Sequence, residues 1–485
     1  MRIAVIHYHL QSGGVNRIIQ NSVPLDGKGD FSAVVLTGQP PSGSWPCPFR
    51  VIPGLQYEGI GPKLTPEALA TEISREAEEA LGGPPDLYHV HNHSLGKNMA
   101  LPGALALLAG RGHHLFLHIH DFAEDGRPGN YRRMLAELGG GEVGRLARVL
   151  YPLADHVHYA VLNNRDYHFL GQAGLAEEKL HLLPNPIELF SDLAVPSCEE
   201  VPGPPLWFYP TRGIRRKNLG EFILWAAVSR EEERFATSLG PLNPKEIPIY
   251  NGWKKLAGEL GLPVDFELSL REPGGFIGLM RRARGLVTTS IAEGFGLAFL
   301  EPWLMGKVVC GRDLPEITEE FRQEGIRLSH LYRRVEVPVS WLGRKRILEK
   351  AVRGLRDNLS SYGRQPSVSD FERMEKSWLQ NERVDFGCLD EELQVEVIRR
   401  VCSMPEESKQ LQPTSLVHPA EFSEDVKVNR SVLAARYGIR AYHNNLLSIY
   451  KKVADSPESK LSCLKGEVLL DFFLEPERLK LLRVD

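Results

Sequence analysis

The sequence predicts an α/β protein built from two doubly wound, mostly parallel sheets, and three observations carry that expectation. The chain opens on an apolar strand, Arg2-Ile3-Ala4-Val5-Ile6-His7-Tyr8, followed by the paired glycine Gly13-Gly14 and a helix-like Ile18-Ile19-Gln20-Asn21-Ser22, the first βα turn of a Rossmann-like domain. Strand-like apolar runs then alternate with helical patterns to about residue 190, as a parallel sheet requires. After a stretch to Pro205 rich in Pro, Ser and acidic residues, the chain starts again with the strand Leu206-Trp207-Phe208-Tyr209-Pro210, a basic loop and a helix.

Taken in order, the first domain (1–190) has further strands predicted at 32–37, 87–91, 114–120 and 157–162, with helices at 65–81 and 132–153. A linker is expected at 191–205 and a second domain at 206–330, with strands at 247–250 and 264–267 and a helix at 276–283. Beyond 330 a mostly helical extension (331–485) is predicted, with helices at 344–358, 391–401, 430–450 and 475–482.

At 485 residues and 42% hydrophobic content the chain has apolar material for two or three cores. Its net charge of −4 gives no general pull towards nucleic acid. No uninterrupted apolar run approaches the roughly 18 residues of a membrane span. The start Met1-Arg2-Ile3-Ala4-Val5-Ile6 reads as a strand and not as a signal peptide, so a cytoplasmic protein without membrane association is expected. The six cysteines (Cys47, Cys198, Cys310, Cys388, Cys402, Cys463) contain no CxxC pair, which argues against a disulfide framework or a zinc ribbon.

The chemistry concentrates in Thr289-Ser290-Ile291-Ala292-Glu293-Gly294-Phe295-Gly296-Leu297-Ala298-Phe299-Leu300-Glu301-Pro302, directly after the strand-like Gly285-Leu286-Val287-Thr288. Two carboxylates bracket a glycine-punctuated turn that leads into a helix start. A helix N-terminus leaves N–H groups unpaired and carries partial positive charge, so it favours a diphosphate, and Gly294 and Gly296 let the main chain approach it. If the segment is helical, eight steps of about 1.5 Å place the two carboxyl-bearing residues roughly 12 Å apart, one for sugar hydroxyls and one for ribose hydroxyls. Upstream, Thr211-Arg212-Gly213-Ile214-Arg215-Arg216-Lys217-Asn218 sets four cations just past a strand, where they repel one another unless an anion sits among them.

The wording Glu-Gly-Phe-Gly-Leu-x-x-x-Glu, with Arg212 and Lys217 upstream, resembles the retaining nucleotide-sugar glycosyltransferases of family 4. Their fold is GT-B, two Rossmann-like domains facing across a cleft. Gly13-Gly14-Val15-Asn16-Arg17 resembles the family's first glycine loop, and Pro184-Asn185-Pro186 its Pro-Asn-Gly segment with proline in place of glycine. The likeness covers some two-thirds of the chain and fades beyond about residue 330.

The resemblance implies a donor site of Gly13, Gly14, Arg212, Lys217, Glu293, Gly294, Phe295, Gly296, Leu297 and Glu301. Arg212 and Lys217 would clamp the diphosphate, Glu293 would hold the sugar and Glu301 the ribose. His120, at the end of Leu117-His118-Ile119-His120-Asp121, would touch the donor sugar, completing a catalytic set of His120, Arg212, Lys217 and Glu293. Asp121 and the polar loop carrying His91, Asn92, His93 and Lys97 would meet the acceptor. Arg215 and Arg216 fall outside the family pattern and read as exposed. One helix of the extension would cross back to the first domain, and the domains would close about the linker to exclude water.

The implied partners are a nucleotide sugar and a small-molecule or glycan acceptor, with no cofactor. The histidines at 89, 91, 93, 118 and 120 alternate along their strands and so share faces. This makes zinc the first metal to consider, but no cysteine or carboxylate cluster completes a tetrahedral set and no metal is expected. Two other readings use the same residues: a GT-B phosphorylase acting with inorganic phosphate on a disaccharide, and a catalytically silent sugar-nucleotide-binding protein.

Overall fold

The computed structural model describes residues 1–11, 13–23, 31–187, 205–229, 232–272 and 274–484. The expected linker therefore lies almost wholly outside the described residues. The chain forms two compact units. Unit 1 comprises Met1–Ile187, Ser361–Gly363 and Tyr437–Leu474, and unit 2 comprises Glu188–Ser360, Arg364–Arg436 and Glu475–Asp485.

Unit 1 is built on strands β1 (Arg2–His7), β2 (Ser32–Thr37), β3 (Phe49–Val51), β4 (Leu87–His91), β5 (Leu115–Ile119), β7 (Val157–Val161) and β8 (Leu180–Leu182). They pair in parallel in the order β3-β2-β1-β4-β5-β7-β8, while β6 (Pro152–Leu153) stands apart, antiparallel to Ser462–Cys463. Strands β4, β5 and β7 are buried at every position. Full burial on both faces is what a central parallel strand meets, and here it encloses polar side chains too, His89 and His91 in β4, His118 in β5 and His158 in β7. The strand order reverses between β1 and β4, the point at which open α/β sheets bind ligands beyond their carboxyl ends.

The helix Pro66–Leu81 shows how local sequence sets such elements. Thr65 caps it by accepting a hydrogen bond from the Ala68 N–H at 3.2 Å, Pro66 suits the first turn, and Gly82 ends it at φ 69°. Leu69, Ala70, Ile73 and Ala77 are its buried stripe. On the sheet's other flank, Tyr442, Leu446, Ile449, Tyr450 and Val453 of helix Ile439–Ala454 join the core formed by Ile3, Val5, Ile19 and Phe116.

Unit 2 carries a second parallel sheet of β9 (Leu206–Arg212), β10 (Arg234–Leu239), β11 (Val264–Asp265), β12 (Gly285–Thr288) and β13 (Val309–Gly311) in the order β11-β10-β9-β12-β13. Its core includes Leu206, Phe208, Leu279, Met280 and Leu286. Behind the sheet, the buried Arg312 guanidinium meets Glu221 and Asp385 together. A buried cation shared by two carboxylates satisfies charges that would otherwise cost several kcal/mol each.

Several expected elements differ. Residues 247–250, expected as a strand, begin the helix Ile247–Glu259, because Tyr250, Trp253, Leu256 and Ala257 continue the run at helical spacing. The helix expected at 132–153 is two, Pro128–Glu137 and Val143–Leu150, broken where Gly140 and Gly141 take φ of 56° and 85°. That at 430–450 is likewise two, Ser423–Arg436 and Ile439–Ala454, and 475–482 forms only two short 3₁₀ turns, Pro476–Arg478 and Leu481–Arg483. Residues 331–485 do not form one body, since 437–474 cluster with unit 1 and the remainder almost entirely with unit 2. Among the described residues no helix is long and apolar enough to cross a membrane.

Candidate functional site

In unit 2 the loop after β9 is stitched to the segment after β12. The Tyr209 hydroxyl donates to the Lys217 carbonyl at 3.0 Å, the Thr289 hydroxyl donates to the carbonyls of Lys217 and Asn218 at 3.0 Å each, and the Ile291 N–H donates to the Arg216 carbonyl at 3.0 Å. Asn218 takes a left-handed φ of 50°, and its side chain is held by Gln394 at 2.9 Å and by Glu221 at 2.8 Å. These bonds fix a turn that returns the loop's basic residues onto the second segment.

Glu293 sits at the meeting point, with its side chain 9% exposed. Its Oε1 accepts from the Lys217 ammonium and from the Ser290 hydroxyl at 2.6 Å, and its Oε2 accepts from the Arg216 guanidinium at 3.0 Å. Burial alone would raise the carboxyl's pKa, but Lys217, Arg216 and Ser290 outweigh it and hold the group down at about 2. Burial is the largest effect on Lys217 and lowers its pKa, although Glu293 opposes that. Glu293 is thus an ionised acceptor near neutral pH. Of the roughly four lone-pair sites of a carboxylate, three are taken.

Arg212, at the end of β9, is exposed and makes one long bond to the Gly240 carbonyl, 3.4 Å. Glu301 is partly buried at the start of the short helix Glu301–Leu304. The helical run expected from 294 onward is replaced by a 3₁₀ turn at Leu297–Phe299 and this four-residue helix. No continuous helix therefore spaces Glu293 from Glu301 at the expected distance of roughly 12 Å, and no α-helix starts at Gly294 to present its N–H groups to an anion. Gly296, with φ 92°, sits where a Cβ would come within 2.8 Å of Ile317, so the turn itself requires that glycine. Phe295 is buried against Phe321 with ring centroids 5.7 Å apart, whereas Gly294 and Leu297 are partly exposed beside Glu293.

Two further expectations change. Arg215 is not a solvated cation: it pairs with Glu391 at 2.7 Å and donates to the Val484 carbonyl at 2.7 Å. Arg216 is part of the Glu293 cluster. A run of four basic residues gives no sign of which one reaches a partner 77 positions away.

In unit 1 the expected residues gather at the carboxyl ends of β1, β4 and β5. Asn92 follows β4 with φ 55°, and its Oδ1 accepts from the N–H groups of His120 at 2.7 Å and Asp121 at 3.1 Å. It is a buried staple between two strand ends. His93 is buried, with Nε2 2.7 Å from the Leu150 carbonyl, and His91 is buried with Nδ1 2.9 Å from His120 Nε2. Three of the five expected acceptor residues therefore build the scaffold, and only Lys97 and Asp121 reach the surface. The helix Gly14–Ser22 begins at exposed Gly13 and Gly14. A Cβ at Gly14 would meet nothing within 4 Å, so packing does not demand glycine there.

The histidines form a stacked, hydrogen-bonded set. His89 Nδ1 lies 2.7 Å from the Tyr450 hydroxyl and His89 Nε2 3.3 Å from His118 Nδ1, while the His118 and His120 rings stack with centroids 4.1 Å apart. Burial and neighbouring imidazoles lower every pKa, His89 to about 3 and His91 well below its usual value, and burial brings His120 to about 4, so the rings are neutral at pH 7. The ring nitrogens of His89, His91 and His118 that could ligate a metal all lie within 4.8 Å of one another. Nearby, the Glu124 carboxyl is buried, accepts from the Tyr151 hydroxyl at 3.0 Å, and is pushed up to about 7 by burial.

No family model matches the chain. Among curated proteins it is 25% identical over 348 residues to the mannosylglucosyl-3-phosphoglycerate synthase of Petrotoga mobilis, a match spanning 66% of each chain, just under two-thirds. Among solved structures, HepE of Anabaena in complex with UDP and glucose superposes with a TM-score of 0.53 at 13% identity, covering 93% of this chain and 99% of that one. Sucrose-phosphate synthase of Thermosynechococcus elongatus gives 0.54 at 14% identity, covering 93% and 98%. A glycosyltransferase of Rickettsia africae gives 0.54 at 12% identity, covering 94% and 100%. The fold is that of the GT-B glycosyltransferases. At these identities the structural likeness speaks for architecture alone.

Proposed function

We propose that the chain is a retaining glycosyltransferase that moves a hexose from a nucleoside-diphosphate sugar to a hydroxyl of a small soluble acceptor. The reading extends to a cytoplasmic protein that needs no metal. The observation that carries it is Glu293, an ionised, nearly buried carboxylate held by Lys217, Arg216 and Ser290. Support comes from the curated relative, whose name is that of a synthase of a glycosylated phosphoglycerate, and from HepE, which is solved with UDP-glucose.

In this reading unit 2 holds the donor. Arg212 and Lys217 take up negative charge as the diphosphate leaves, and preorganised cations supply much of the transition-state stabilisation. Glu293 cannot act as an acid, because its proton is gone well above pH 2; its remaining lone pair accepts a sugar hydroxyl. Glu301 holds the ribose, and the leaving phosphate oxygen takes the acceptor's proton, so no protein base is assigned. In unit 1 the Asn92 staple and His91 fix His120, and His120 contacts the sugar as a neutral imidazole. The Gly13–Gly14 backbone, bare of any packing demand, approaches the diphosphate.

The test is turnover of UDP-, GDP- and ADP-sugars with small hydroxyl acceptors, followed by proton NMR of the product's anomeric signal. The reading predicts nucleotide release coupled to a product that retains the donor's anomeric configuration, without added phosphate. An inverted product refutes retention. Turnover only with inorganic phosphate and a disaccharide makes the protein a phosphorylase.

A further inference from the structure

From the loop after β4 we infer that the acceptor carries a phosphate group, received by Lys97, Arg127 and Arg133. The word acceptor rests on the glycosyltransferase reading; the anion site itself does not.

In that loop His91, Asn92, His93, Ser94, Leu95 and Asn98 are all buried, and Lys97 alone among them is partly exposed. Asn98 locks the loop in place by donating to the carbonyls of Gly54 at 2.7 Å and Gln56 at 2.8 Å and by accepting from the Leu101 N–H at 3.0 Å. The loop is thus built rigidly around one outward cation. The Lys97 ammonium lies 5.3 Å from the centre of the Tyr57 ring and has no hydrogen-bond or ion-pair partner among the described residues. Half-burying an ammonium without a hydrogen-bonded anion costs stability, which the attraction of the Tyr57 ring offsets only in part.

Two guanidiniums stand beside it, each held by backbone. Arg133 donates to the carbonyl of Gly96, the residue before Lys97. Arg127 donates to the Phe122 carbonyl at 2.9 Å and pairs with Asp121 at 2.8 Å. Both repel Lys97, which, after burial, is the main reason its pKa falls, and Asp121 opposes them. Asp121 and Glu58, whose carboxylate accepts from the Met99 N–H at 3.0 Å, are the carboxylates beside these three cations among the described residues, and the balance stays positive, the sign a phosphate ester needs. Such a ligand would meet a forked guanidinium and a compact ammonium together, which is how phosphates are held. The cluster lies at the carboxyl ends of β4 and β5, beside His120, where a transferred sugar would be met.

The test is titration calorimetry of the full chain with glycerol 3-phosphate, inorganic phosphate and glycerol, on wild type, Lys97→Met and Arg133→Gln, with a nucleoside diphosphate as a second ligand on each. Glycerol 3-phosphate should saturate the wild type while glycerol does not, and each variant should weaken it by about tenfold or more while nucleotide binding is unchanged. Thermal unfolding of each variant that matches the wild type shows that unit 1, which carries Lys97 and Arg133, is folded. Glycerol 3-phosphate binding no tighter than glycerol, or equally tight in both variants, overturns the inference. If the phosphate ester binds but no nucleotide does, the anion site stands and the glycosyltransferase reading falls; the reverse result removes this site and leaves that reading intact.

Discussion

Replacing Glu293 by glutamine isolates the electrostatics of the proposed donor site. Lowering this carboxyl from 4.5 to about 2 makes the ionised form about 3 kcal/mol more favourable in the folded chain than in the unfolded one. Because the folded value is depressed, that contribution is complete above pH 4.5 and is lost as pH falls through about 2; at pH 3 roughly 1 kcal/mol of it remains. Glu293→Gln has no such dependence, so the stability gap between wild type and variant should narrow by about 2 kcal/mol between pH 7 and pH 3. Urea unfolding followed by tryptophan fluorescence suits the measurement, since Trp207, Trp225, Trp253, Trp303, Trp341 and Trp378 all lie in unit 2 and only Trp45 lies in unit 1. A gap that stays constant over this range would show that Lys217 and Arg216 do not hold Glu293 ionised, and the donor-site argument would lose its basis.

Gly14→Ala should leave the melting temperature unchanged or slightly raised, since the added methyl meets nothing and alanine favours a helix start. It should slow sugar transfer, and unaltered turnover would remove Gly14 from the site. The buried histidines make unit 1 acid-sensitive. His7 and His89 are lowered to about 3 and His120 to about 4, so between pH 6.5 and those values the unfolded chain binds more protons and stability falls with pH. Hydrogen exchange in β4 and β5 should be faster at pH 5 than at pH 7 after correction for the intrinsic rate, and equal protection would contradict the neutral stack. Dialysis against a chelator should leave transfer unchanged, because the diphosphate charge is met by Arg212 and Lys217; activity lost and then restored by zinc would instead place a metal among His89, His91 and His118.

Strands such as Ser32–Thr37 and Leu87–His91 were legible because the β-branched and aromatic residues Val34, Val35, Thr37, Tyr88 and Val90 favour a pleated run, and the loop between Glu293 and Glu301 because its glycines punctuate a strand end. The helix Ile247–Glu259 was obscured by its first turn, Ile247-Pro248-Ile249-Tyr250, which has strand composition, while the apolar stripe that decides the matter comes later. Arg216 and Asn92 were unreadable for another reason. One is placed by a loop pinned to Thr289 and Ile291, and the other by a left-handed backbone that carries its amide to a neighbouring strand end. Such contacts exist only once distant strands pair. The same holds for the helix Ile439–Ala454, whose apolar stripe shows that it packs but not on which sheet.

The most direct test of the central claim is calorimetric binding of UDP, GDP and ADP and their sugar conjugates to wild type, Arg212→Ala and Glu301→Ala. The account predicts that one nucleotide series binds the wild type, that both variants lose about tenfold or more in affinity, and that Arg212→Ala, an exposed substitution, keeps wild-type stability within about 0.5 kcal/mol. Failure of all three series to bind the wild type, or undiminished binding in both variants, would contradict it.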